Sequence, residues 1–131
     1  MTPVRISDAI RDVAFEPRLT VEEAVDKYYA PGLVHVADGR TRDRAAFTAM
    51  VAGIRGNVVE GTVTVLDELY DGPNYAERHR YRMTTADGTV VHREVYYFAT
   101  LAEDGRFQHV HESGFDVDQE PGLPQPQADR Q

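Results

Sequence analysis

Glu94 and His35 are the side chains whose settings point most directly to acid–base chemistry. Glu94 lies mid-strand in the run Thr89 to Leu101, near Tyr81 and Tyr96. A carboxyl among aromatic walls keeps its proton to unusually high pH and can offer it to a developing oxyanion. His35 sits inside the brief apolar run Leu33 to Val36, and an imidazole is the group best suited to take up a substrate proton near neutral pH. Asp38, just before Gly39, is the third catalytic candidate, read either as a base or as a turn former.

Other chemistries lose ground on composition. The 131 residues include no cysteine, which removes disulfides, thiolate nucleophiles and iron–sulfur clusters together. Asp and Glu number 22 against 14 Lys and Arg, for a net charge of −8. An acidic chain is poorly suited to a nucleic-acid backbone, and a small molecule or another protein is the expected partner. A glycine-rich phosphate loop, a Gly-x-Ser-x-Gly turn and a His-Glu-x-x-His helix are all missing from the sequence, so neither a nucleotide cofactor nor a resident metal is expected. His109-x-His111 resembles a metal pair, but read on an outward strand face it has no carboxylate to complete it. No run approaches the roughly 18 apolar residues of a membrane helix, and a soluble cytoplasmic protein without membrane contact is the expectation.

The elements that must position these groups change period halfway along the chain. Ser7 reads as the cap of a short helix ended by Pro17; Thr20 and Glu23 form a capping box before Val21, Ala24, Val25, Tyr28 and Tyr29, a helix closed by Pro31-Gly32. A third helix, capped near Thr41 or Asp43, carries Phe47, Met50, Val51 and Ile54 on one face. From Val58 the pattern alternates, giving four antiparallel strands: Val58 to Tyr70, Tyr75 to Thr85, Thr89 to Leu101 and Phe107 to Phe115. The expected fold is therefore α+β, with three N-terminal helices packed against one face of a curved, mainly antiparallel sheet. Residues 1–117 form the domain, and the Pro- and Gln-rich stretch 118–131 reads as a disordered tail.

Strand parity sorts the polar residues. A two-residue Asp87-Gly88 turn pairs Met83 with His92, Tyr81 with Glu94 and His79 with Tyr96, and places Phe98 on the same inner face. The outer face then carries Arg78, Arg80 and Arg93 with Val91, Val95, Tyr97 and Ala99, an apolar surface suited to a homodimer. The last strand allows two registers; the one that sets Leu101 beside Phe107 sends Val110 and Glu112 inward instead of His109 and His111. The expected ligand-binding lining is His79, Tyr81, Met83, His92, Tyr96, Phe98, Val110 and Glu112, with His35 and Asp38 arriving from the helical side.

The order of elements, with Tyr28-Tyr29-Ala30-Pro31-Gly32-Leu33-Val34-His35, the Gly39 to Phe47 entry into the third helix, and Glu103-Asp104-Gly105-Arg106-Phe107 leading to Glu112 and Phe115-Asp116, resembles the nuclear transport factor 2-like superfamily, in its SnoaL-like and ketosteroid isomerase-like branch. The resemblance implies a cone-shaped α+β barrel, a pocket between helices and sheet, and commonly a dimer. It implies an oxyanion-binding acid at Glu94 and a base from the strand near His35 to Asp38. It also sets Glu112 where epoxide hydrolases have an active-site aspartate; their accompanying Arg and Asp are replaced here by His79 and Tyr81. Two functions remain open. One is a cofactor-independent isomerase, cyclase or hydratase acting on an apolar carbonyl, polyketide or terpenoid-like molecule; the other is a non-catalytic ligand-binding or dimerisation module.

Overall fold

A computed structural model describes residues 2–117; the expected tail, 118–131, lies outside the described residues. Helix α1 (Ile6–Ile10) runs directly into a π-helical turn, Arg11–Phe15. Ser7 does not cap it: Arg5 holds the N-cap position and Ser7 is buried within the helix. The wide turn is anchored by Arg55, which donates from Nε to the Val13 carbonyl (2.7 Å) and from Nη2 to that of Asp12 (3.0 Å). Helix α2 (Val21–Tyr28) opens on the Thr20–Glu23 capping box, and α3 (Arg44–Asn57) on Asp43, whose Oδ1 accepts from the Ala46 amide at 2.8 Å.

Six strands follow the helices or lie between them: β1 (Tyr29–Ala37), β2 (Arg40–Asp43), β3 (Val58–Asp71), β4 (Asn74–Thr85), β5 (Val90–Leu101) and β6 (Phe107–Asp116). The sheet order is β2-β1-β6-β5-β4-β3, antiparallel except for the β1–β6 pair. It is curved and does not close. Strand β1 starts earlier than the sequence suggests and runs through Pro31-Gly32. The proline is accommodated because the β1–β6 ladder is interrupted between Tyr29 and Val34, so no ladder hydrogen bond is demanded of it.

The core forms where the helices meet the sheet. Phe107 is fully buried, with the rings of Tyr29, Tyr75 and Tyr97 centred 5.4–5.5 Å from its own. Among the described residues no helix is long and apolar enough to cross a membrane.

The β4–β5 register differs from the expected one by a single residue, with large consequences. Thr85 closes on Thr89, its amide donating to the Thr89 carbonyl at 2.9 Å, so the loop is the three residues Ala86, Asp87 and Gly88. Gly88 takes φ +86, the left-handed position that a three-residue hairpin requires. Asp87 fixes the loop by accepting from Thr85 Oγ1 (2.6 Å) and the Thr89 amide (3.0 Å). The Thr85 hydrogen bond, with those from Thr89, holds the Asp87 carboxyl down at about 2. One extra loop residue turns every side chain of β5 over. Met83 now pairs with Val91, Tyr81 with Arg93, His79 with Val95 and Glu77 with Tyr97. His92, Glu94, Tyr96 and Phe98 therefore leave the inner face and join Arg78, Arg80 and Arg82 outside. Val95, Tyr97 and Ala99, expected outside, are buried against the helices. In β6 the expected parity holds: Leu101 pairs with Phe107, and an extra residue, Gln108, shifts the ladder so that Ala99 faces Val110 and Tyr97 faces Glu112.

Candidate active site

The inner face of the sheet and the facing helices enclose a cavity of about 170 Å³. Ile6, Ala9, Val13, Phe47 and Val51 supply its apolar helical wall; the sheet contributes His79, Tyr81, Met83, Val95, Tyr97 and Glu112. Two histidine–carboxylate pairs converge on it. His79 reaches the cavity from β4 with its Nδ1 2.6 Å from Glu77 Oε1, an i, i+2 pair on one strand face, both side chains buried. Burial pushes the Glu77 carboxyl up, and the hydrogen bond from His79 works against that rise. Glu112 reaches the cavity from β6, its Oε2 2.7 Å from Nε2 of His35 on the neighbouring strand. His35 is 1 % exposed and packs its ring 4.7 Å from that of Phe47, so it meets the cavity through Glu112.

Tyr97 lies between the two pairs. Glu77, Tyr97 and Glu112 are consecutive partners across β4, β5 and β6, and side chains so placed stand about 5 Å apart. His35 Nδ1 and Glu77 Oε2 have no hydrogen-bond partner among the described residues, and the Tyr97 hydroxyl, with the Tyr29 hydroxyl beside it, has none of good geometry there. Burial first, and then the neighbouring Tyr29 and Glu112, keep the Tyr97 proton on far above the ordinary tyrosine range. A buried donor without a partner is costly, and a ligand oxygen would satisfy it.

Of the residues singled out from sequence, His79, Tyr81, Met83 and Glu112 line the cavity, and His35 stands behind Glu112. Val110 is fully buried in the core beneath. Asp38 occupies the β1–β2 turn at φ +50 with its side chain exposed, 3.9 Å from Arg93, the position of a turn former. His92, Tyr96 and Phe98 point away from the cavity. Glu94 does too: on the outer face it accepts from Arg80 Nε (2.8 Å), Arg78 Nη1 (3.2 Å) and the Tyr96 hydroxyl (3.0 Å). It shares no cavity with His35. The Arg80 hydrogen bond, with those from Tyr96 and Arg78, holds its carboxyl below the usual range, the reverse of a proton-retaining acid. His109 and His111 stack outside at 4.8 Å, and no group of three potential metal ligands occurs among the described residues.

Two contributors, Glu77 and Tyr97, are not among the residues singled out from sequence. Glu77 is legible as the i−2 neighbour of an inward His79, whereas the two-residue turn puts Tyr97 outward. Because the Glu94 carboxyl is depressed, its stabilising ion pairs are intact above the ordinary carboxylate range and are lost as pH falls through its lowered value. Glu94→Gln is expected to leave chemistry at the cavity unchanged and to flatten the decline of the urea midpoint between about pH 6 and 3. An unaltered decline would show that the ion pairs contribute nothing to stability.

No protein-family model matches the chain, and no curated protein matches it. Solved structures do. The fold is that of the nuclear transport factor 2-like proteins. One similar structure is an NTF2-like protein of unknown function from Exiguobacterium sp. 255-15, at 19% identity, with 86% of this chain and 98% of that one covered and a TM-score of 0.63. A protein from Shewanella denitrificans described as a SnoaL-like polyketide cyclase aligns at 12% identity over 82% and 85% of the two chains, TM-score 0.66. A protein of ketosteroid isomerase-like fold from Catenulispora acidiphila, in complex with trimethylamine, aligns at 14% over 85% of each, TM-score 0.64.

Proposed function

We propose that this protein is a cofactor-independent acid–base enzyme acting on a small, apolar carbonyl compound, as an isomerase, cyclase or hydratase. The observation that carries the reading is the convergence of two histidine–carboxylate pairs, at 2.6 and 2.7 Å, on one apolar cavity. With Nδ1 of His79 engaged by Glu77, Nε2 is the nitrogen left to take an α-proton, and the carboxylate stabilises the imidazolium that forms. Electron density moves onto the carbonyl oxygen, which the Tyr97 hydroxyl receives as a hydrogen-bond donor. His79 then returns its proton to carbon as the carbonyl re-forms, while Glu112, held by His35, faces the bound molecule from β6. The apolar walls exclude water and strengthen each of these interactions. The similarity to SnoaL-like and ketosteroid isomerase-like structures is consistent with chemistry of this kind. The direct test is exchange of α-hydrogens of cyclohexanone into D₂O, followed by NMR. Acceleration over buffer supports the enzyme; saturable binding without exchange assigns the cavity to a non-catalytic binding module.

The same reading includes a homodimer through the outer sheet face. Its apolar residues are Tyr96, Phe98 and Phe115, which are 41, 61 and 49% exposed, in place of those the sequence suggested. Sedimentation equilibrium at micromolar protein should give twice the chain mass, and Phe98→Glu should give the monomer. A monomeric wild type would remove this face as an interface.

A further inference from the structure

The cavity's volume and one of its walls restrict what it holds. Ligand pockets for drug-sized molecules usually span about 300–1,000 Å³, and an apolar cavity of about 150 Å³ is known to take one benzene. At about 170 Å³, this site matches a single ring. The partly exposed lining residues Ile10, Phe15, Ile54, Tyr81 and Met83 mark the side that meets solvent. Phe15 is held there with unusual definition. It ends the π-helical turn that Arg55 anchors, and its ring lies directly on Gly61 of β3, the ladder partner of Met83. A Cβ at Gly61 would fall 2.5 Å from Phe15 Cε1 and 2.8 Å from Cγ, so only glycine leaves the ring its seat. The Tyr81 ring, on the neighbouring strand β4, is centred 6.3 Å from it.

We infer that Phe15, seated on Gly61, is the size-determining residue of this site and restricts it to single-ring ligands. The inference rests on the proposed ligand cavity but not on catalysis. Fused-ring compounds would have to displace Phe15 from its seat on Gly61.

Phenol and 1-naphthol, titrated separately into the ¹⁵N-labelled protein and followed by amide shifts, distinguish the outcomes. The wild type should bind phenol about tenfold or more tightly than 1-naphthol, since forcing extra atoms into a packed site carries a penalty of that order. Phe15→Ala and the milder Phe15→Leu should reduce that ratio, the former by about tenfold. Gly61→Ala should change the ratio when Phe15 is present and leave it unchanged in the Phe15→Ala background, because the two act as one unit. Equal affinities in the wild type, no phenol binding, an unchanged ratio in folded Phe15→Leu, or a Gly61→Ala effect independent of Phe15 would each overturn the assignment. The ratio is read from binding alone, so an absence of α-hydrogen exchange, which would sink the acid–base reading, leaves this result intact.

Discussion

His79→Gln is expected to lower the rate of α-hydrogen exchange by about 10²-fold or more, with ligand affinity changed little. Glutamine keeps an amide donor for Glu77 Oε1, so the buried carboxylate remains hydrogen-bonded and the cavity keeps its shape. What it removes is the nitrogen able to accept a proton. Glu77→Gln should reduce turnover by a smaller factor, since it leaves the imidazole in place but withdraws the charge that stabilises the imidazolium. Tyr97→Phe removes only the hydroxyl and should likewise lower turnover while leaving KM nearly constant. NMR exchange rates for the three variants, each with its binding constant, separate these roles. If His79→Gln exchanges at the wild-type rate, His79 is not the base, and the proposed mechanism fails with it.

Phe107→Ala carries the largest expected effect on folding. The ring is fully buried at the centre of Tyr29, Tyr75 and Tyr97, so its loss opens a hole that three strands cannot close. Substitutions of this kind cost about 3–5 kcal/mol, a large share of the stability of a domain of this size. The urea midpoint should fall with the slope unchanged. Tyr97 would lose the wall that fixes its ring, so carbonyl polarisation should weaken in whatever fraction remains folded. A loss below about 1 kcal/mol would show that the surrounding tyrosines collapse into the space.

The hydrophobic period of each segment was enough to read the class of fold, because burial on one face imposes a spacing that local sequence must obey. Thr20 with Glu23, Asp43 and the alternation from Val58 onward act within a few residues of themselves, and the structure places those elements where the sequence does. The inward parity of Val110 and Glu112 does not follow from the apolar match of Leu101 with Phe107 alone: continued without a bulge, that match sets Val110 beside the outward Phe98, and the extra residue at Gln108 brings it opposite the inward Ala99. Strand β2 was not legible either: Arg40–Asp43 is short and polar and is a strand only because β1 is there to pair with it.

Site membership required more than parity within a strand. Whether Glu94 or Tyr97 looks into the cavity depends on a loop of two residues or three, and Asp87-Gly88 suits either. The choice is made by Thr85 and Thr89 closing around Asp87, together with the burial gained when Val95 and Tyr97 face the helices and Glu94 meets Arg78 and Arg80. Composition and periodicity identify which residues can do chemistry and show that helices cover one face of a sheet. That Glu112 meets His35 is set by strand pairing across the chain. His35 and Glu112 are separated by 76 intervening residues and meet because β1 lies parallel to β6, a long-range pairing that no local pattern encodes.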